Sequence, residues 1–369
     1  MNPGERFRAT YEFKPVDHLV RREFYIWDEA IERWKAEGLP EDYQEQNLFG
    51  FDPPGMVSVG LNLGWCEPPF VPAYEEKVVK DDGDTEIIQD FAGRWLRVFK
   101  GRRHGFMPDY LKHPVTCMRD WEDEVAPRLD PAEPSRYTVL AGACAHAAAC
   151  RENDHQMVHQ GMVGGYMYLR ALMGPEETLM AFYEQPDLVH AMMQRWAAVM
   201  NAGLERVQAH IELDELAIGE DICYVKGLLI SPDLVREFLL PHYQDVVGKA
   251  RGRQQRKLYF NVDTDGWAEP AVPLYLEAGM DVMDPWEVAS GCDVVEIGKK
   301  WPDLVMTGGI DKRILAAGKD AIDRHVEYIL PPMLERGGYI PTCDHGVPVE
   351  VSFDNYMHYR RRVCKLDHQ

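Results

Sequence analysis

Lys257-Leu-Tyr-Phe-Asn-Val-Asp-Thr-Asp-Gly266 is an apolar stretch that runs straight into two carboxylates spaced i, i+2 and then a glycine. Read as a strand, it places Asp263 and Asp265 on one side of its C-terminal end. In parallel α/β proteins chemistry collects at C-terminal strand ends, which makes the pair a candidate for metal ligation or proton transfer. The alternative is a strand that leaves through a Thr-Asp-Gly turn, with Asp265 capping the next helix.

The chain on either side alternates. Upstream, strands over 155–163 and 215–222 are separated by helical stretches over 175–209 and 231–251. Downstream come a helix ending near 274–278, a strand at 281–285, a helix at 294–301, a strand at 304–308, a helix at 314–336 and a strand at 338–342. Strands separated by helices imply a parallel sheet with right-handed crossovers, and this many units favour a closed TIM (β/α)8 barrel. A first βα unit is expected at 19–25 and 27–37, stopping at Gly38-Leu-Pro40. Seven strands can be counted this way; the position of the eighth is open.

Residues 50–112 differ in texture, being rich in proline, glycine and aromatics, with 86–90 and 94–99 flanking Phe91-Ala-Gly93 as a hairpin. They are read as a cap near the N-terminus, inserted in a single domain spanning 1–369. Trp65 to Tyr74 and the hairpin are expected to wall the barrel mouth with aromatic side chains; the competing role is a contact in a homodimer. Helices are expected at 116–128 and 141–153.

Composition narrows the function classes. A formal charge of -21 repels phosphate backbones and anionic lipid, so neither nucleic acid nor a membrane is an expected partner. The eight cysteines include no Cys-x-x-Cys pair, which removes a thiolate zinc knuckle. No apolar tract is long enough to span a bilayer and the N-terminus lacks a signal-type apolar core, so the reduced cytoplasm is the expected compartment. Dinucleotide, P-loop, nucleophile-elbow and His-Glu-x-x-His motifs are absent.

The informative residues are the polar ones at strand ends: Glu220 and Asp221, Asp263 and Asp265, Asp284 with Trp286 and Glu287, Asp311, and Asp344 with His345. So many acids at one barrel mouth repel one another unless a cation or hydrogen-bond donors offset them, and a divalent metal is the simplest offset. Singly, each acid is as well explained by a helix cap or a salt bridge.

Several runs resemble the uroporphyrinogen decarboxylase-like superfamily: Gly219-Glu-Asp-Ile-Cys-Tyr-Val-Lys-Gly-Leu-Leu-Ile-Ser-Pro232, then Glu237-Phe-Leu-Leu-Pro241, Gly308-Gly-Ile-Asp-Lys-Arg313 and His345-Gly-Val-Pro348. The resemblance runs from about residue 19 to 361 and implies a TIM barrel with its cleft at the C-terminal face. The decarboxylases' Arg-Gln-Ala-Gly-Arg-Tyr signature, whose arginines hold substrate carboxylates, is replaced by Arg21-Arg-Glu-Phe-Tyr25. In the zinc methyltransferases that serve corrinoid proteins, a His-x-Cys and a later Cys occupy positions that here hold Asp263, Asp265 and His345.

The resemblance therefore implies a corrinoid-dependent methyltransferase of the demethylase type. It would move a methyl group from a small methylated or methoxylated compound to cob(I)alamin on a corrinoid-binding partner protein. Zinc or another divalent metal would act as Lewis acid, with Asp263, Asp265, Glu220 and His345 as its expected ligands. His345, Asp263 and Glu220 are the expected catalytic residues, and Tyr166, Trp65, Asp221 and Trp286 the expected substrate contacts. The alternative is a decarboxylase of a porphyrinogen-like or other carboxylated substrate, and a third reading is a catalytically silent barrel that holds a tetrapyrrole.

Overall fold

The computed structural model describes residues 1–101 and 108–366. Seven strands form one parallel sheet: β1 (Met56–Ser58), β2 (Met157–Val163), β3 (Glu215–Gly219), β4 (Tyr259–Asp263), β5 (Val282–Asp284), β6 (Val305–Thr307) and β7 (Tyr339–Ile340). Their spatial order is their chain order. A sheet that never reverses its strand order winds in one direction, as a TIM-type barrel does and a doubly wound open sheet does not. Helices occupy the crossovers, among them Gly165–Met173, Pro186–Gln208, Leu240–Gly252 and Lys319–Arg336.

The expected first strand, 19–25, is not a regular one. Residues 19–25 fill the gap between β7 and β1, but as an irregular seam. Only Ile26 makes a strand bridge, to Val347. The Glu23 carboxylate accepts the Cys343 N–H at 2.6 Å, taking a donor that a regular ladder would need. On the other side the Asp52 N–H donates to the Arg21 carbonyl at 2.8 Å. The strand absent from the sequence reading is β1, whose three residues lie inside the range 50–112 and follow Pro53-Pro54-Gly55.

That range is therefore not all cap. The inserted part is an antiparallel sheet of Lys77–Asp82, Thr85–Gln89, Trp95–Phe99 and Asp109–Lys112, with the expected hairpin at its centre; residues 102–107 of the expected cap lie outside the described residues. Ile88, Leu96 and Val98 give it a small core of its own. Arg94 ties it to the preceding loop through Glu67 at 2.9 Å.

The N-terminal residues form a helix, Pro3–Tyr11, started by a capping box between Asn2 and Glu5. It seals the N-terminal end of the barrel. Phe7 and Tyr11 pack with Val20, with the opening residues of four strands, Met157, Tyr259, Val282 and Val305, and with Ile340 of β7. Among the described residues no helix is long and apolar enough to cross a membrane.

Candidate active site

Side chains alternate across each strand. The outward set, including Val158, Leu216, Ile218, Phe260 and Val262, is buried against the helices. Of the inward set, Ser58, Gly161 and Ala217 are small where TIM barrels usually pack layers of bulky branched residues. The interior is consequently open, a cavity of about 690 Å³ bounded by Phe7 and Tyr11 of the N-terminal helix and by the indole of Trp65.

Asp263 and Asp284 both line this cavity and are direct partners in the parallel register of β4 and β5. Partnered residues on adjacent parallel strands project to the same side with backbones about 4.8 Å apart, so the two carboxyls are neighbours. The Asn261 amide donates to Asp284 Oδ2 at 3.4 Å, while Asp284 Oδ1 and Asn261 Oδ1 are buried without a hydrogen-bond partner. Burial, and then the Asp284 charge, push Asp263 well above the usual carboxylate range; burial raises Asp284 to about 6. Two close carboxyls in low dielectric cannot both ionise, so the pair holds a proton at neutral pH.

Asp265 and His345 form the rim above them. His345 Nε2 is 3.6 Å from Asp265 Oδ2, and its ring lies between Phe24 and Trp27, with centroids 5.6 and 6.2 Å away. Burial, followed by the charge of Asp221, raises Asp265 to about 6. Asp221 has left-handed backbone, φ 43°, and pairs with Arg170 at 3.6 Å. The Trp65 indole lies against Gly161 and Gly219, where a Cβ would come within 3.4 and 2.9 Å of its ring atoms. Glycine at those two positions lets a large flat side chain rest across the ends of β2 and β3.

Three expected site residues are elsewhere. Glu220 follows an inward residue and so points outward, where it is fully buried. Its Oε1 accepts the Tyr243 and Tyr275 hydroxyls at 2.5 and 2.6 Å, and burial raises it to about 8. Tyr166 and Trp286 are absent from the cavity lining; Tyr166 sits in the core, and the Trp286 indole is turned inward to donate to the Met283 carbonyl at 2.8 Å. Other strand-end acids serve local structure. Asp311 caps helix Lys312–Ala317, Asp344 accepts the Val288 and Lys312 N–H groups, and Glu287 pairs with Lys312 at 2.8 Å.

This arrangement does not fit the expected zinc centre. Oxygen and nitrogen ligands must converge to about 2.0–2.2 Å from the ion. Glu220 is committed to two tyrosines on the helix side of the sheet, Asp263 is partnered with Asp284, and only Asp265 and His345 approach each other. Among the described residues no three His, Cys, Asp or Glu side chains are grouped to hold an ion.

The sequence reading also missed the floor of the cavity. Glu215 is fully buried, takes the Tyr11 hydroxyl at 2.5 Å and is raised by burial to about 7. His159 is held neutral, lowered by burial and by the Arg22 charge to about 4. Arg22 reaches these groups from the seam, and Arg21 also lines the cavity. The available signal was alternation: His159 and Gly161, Glu215 and Ala217, Asn261 and Asp263 are each i, i+2 pairs facing one way.

A parallel sheet wound in one direction, with acids at the C-terminal ends of its strands, defines a TIM-barrel-like fold, whose active sites lie at that face. Residues 104–365 match the uroporphyrinogen decarboxylase (URO-D) family, and the chain belongs to that family. Uroporphyrinogen decarboxylase of Geobacter metallireducens is 27% identical over 185 residues, 50% of this chain and 51% of that one. The Saccharopolyspora erythraea enzyme of the same name is 27% identical over 180 residues, 47% of each. The chain thus spans about half the length of the curated relatives it matches. A methyltransferase from Methanosarcina mazei shares the fold along 99% of both chains, with a TM-score of 0.59 and 14% identity.

Proposed function

We propose that this enzyme of the uroporphyrinogen decarboxylase superfamily removes a methyl group from a small donor and passes it to cob(I)alamin carried by a partner protein. The observation that carries the reading is the neighbouring Asp263 and Asp284 carboxyls, holding a proton at the wall of a closed-bottomed cavity. Methyl transfer leaves an electron pair on the donor's oxygen or nitrogen; an ether oxygen or an uncharged amine nitrogen departs as a neutral group only if it gains a proton, whereas an ammonium nitrogen departs as the neutral amine. A carboxyl pair with raised affinity for protons can supply or retain that proton, a role worth roughly 10²- to 10⁴-fold in rate. The corrinoid supplies the nucleophile; the chain's residues hold the donor, keep its leaving atom protonated and exclude bulk water.

The cavity walls argue against a porphyrinogen. About 690 Å³ suits a small molecule, and Asp263, Asp284 and Glu215 would repel a polycarboxylate. One observation favours decarboxylation as a second reading: Arg21 and Arg22 line the same cavity, as carboxylate-binding groups would.

Anaerobic incubation with cob(I)alamin and a panel of methylamines and methyl ethers tests the first reading. Growth of the methylcobalamin absorption, lost in Asp263→Asn, is the expected result. Release of carbon dioxide from a small carboxylic acid, with no methylcobalamin from any donor, would establish the second.

A further inference from the structure

The acid pair and Trp65 have a joint property that neither has alone. Trp65 is held by Gly219, and Gly219 is the register partner of Asp263, which in turn partners Asp284. The indole resting on Gly219 and the two carboxyls therefore line one cavity at the level of three register-partnered residues on adjacent strands, with backbone spacings of about 4.8 Å. The space between them belongs to the cavity, and Asn261, more than nine-tenths buried and lining it, keeps its Oδ1 without a partner. Aromatic face, carboxylates and an acceptor oxygen are the groups that recognise an organic cation, which is attracted to an indole within about 6 Å.

Resting on the methyl-transfer reading above, we infer that the donor is a methylated amine bound as its ammonium cation between Trp65 and the Asp263–Asp284 pair.

The charge balance agrees. Asp265 and Asp221 add acid at the rim, where His345 and Arg170 each already pair with one of them; Arg22, which lines the cavity, acts on both Glu215 and Asp284, while the causes that shift Asp263 include no cation. The Asp263–Asp284 pair shares one proton and so carries one negative charge, which a single organic cation offsets. The chemistry balances: the C–N bond breaks with its electron pair left on nitrogen, the methyl carbon bonds to the cobalt of cob(I)alamin, which supplies two electrons, and the neutral amine departs.

The test uses the full chain and two ligands of equal shape, choline and its uncharged carbon analogue 3,3-dimethylbutan-1-ol, by isothermal titration calorimetry. Choline is expected to bind at least ten-fold tighter. Trp65→Leu should narrow the preference several-fold and the double variant Asp263→Asn/Asp284→Asn should abolish it, with circular dichroism showing both variants folded; if the double variant fails to fold, Asp284→Asn, expected to narrow the preference, takes its place. Equal affinity for the two ligands, preference for the alcohol, or no binding of choline at millimolar concentration overturns the inference. Cation binding without methyl transfer from any amine to cob(I)alamin would overturn the methyl-transfer reading and leave the cation site standing. Transfer from neutral methyl ethers alone would do the reverse.

Discussion

Asp263 and Asp284 are register partners on neighbouring parallel strands, both turned into the barrel, and Asp284 keeps one oxygen buried without a partner. Such a pair acts as a unit. Removing either carboxyl takes away the shared acid pair, and Asp284→Asn also relieves Asp263 of a like charge and lowers its affinity for protons, while the larger effect of burial remains. Asp263→Asn and Asp284→Asn are each expected to cut turnover at pH 7 by at least about 100-fold, and the double variant to lose little more. Multiplicative losses in the double variant would show two independent groups. Thermal unfolding should be unchanged or improved, because each substitution removes a carboxyl that is costly to ionise where it lies.

Glu220 gives a pH dependence of stability. Its folded affinity for protons is raised from the ordinary 4.5 to about 8, so the folded state binds more protons than the unfolded chain between those values. Stability must then fall as pH rises through that window and level off above it, with a contribution on the order of 5 kcal/mol across it. Glu220→Gln keeps an oxygen for the Tyr243 and Tyr275 hydroxyls and cannot ionise. The variant should match the parent near pH 5 and unfold at a clearly higher temperature at pH 9. Parallel melting curves against pH for the two proteins would refute the assignment.

Gly164 and Gly219 predict opposite outcomes for the same substitution. A Cβ on Gly164 would come within 1.7 Å of Glu220 Oε2 and 2.8 Å of the Gly219 carbonyl, inside the core. Gly164→Ala should cost about 1–3 kcal/mol or more. At Gly219 the obstacle is Trp65, an exposed side chain able to swing away. Gly219→Ala should keep its unfolding midpoint within a few degrees, shift tryptophan fluorescence and lose the choline preference. An unchanged Gly164→Ala melting curve would contradict the packing described.

His345 is about one-third exposed, paired with Asp265 and stacked near Trp27. It contributes little to the core, so His345→Ala should stay within a few degrees of the parent midpoint while reducing methyl transfer at least about ten-fold. Parental turnover, or failure to fold, would remove His345 from the site.

The barrel was legible because its signals are local and repeated. Apolar runs ended by Gly219, Asp263 and Asp284 recur between helices with readable starts, such as Ser231-Pro232. The short strand Met56–Ser58 escaped because three residues between prolines and glycines carry no periodicity, and residues 19–25 read as a strand because their apolar pattern does not reveal that Glu23 takes the Cys343 N–H. The strand-end acids were visible as a set. Their sorting was not, since Asp311 as a cap and Asp344 as a loop tie differ from Asp263 only in what the fold brings beside them.

What the sequence by itself determined is the order of strands and helices and the presence of Asp263, Asp265 and His345 at strand ends, because period and spacing are properties of neighbouring residues. The tertiary structure decided which acids meet. Register set Asp284 beside Asp263, alternation turned Glu220 to the tyrosines behind the sheet, and the helix Pro3–Tyr11 closed the lumen from below. These are contacts between segments up to about two hundred residues apart in the chain, and burial in that shared interior, absent from any single stretch, is what raises the carboxyls' hold on their protons.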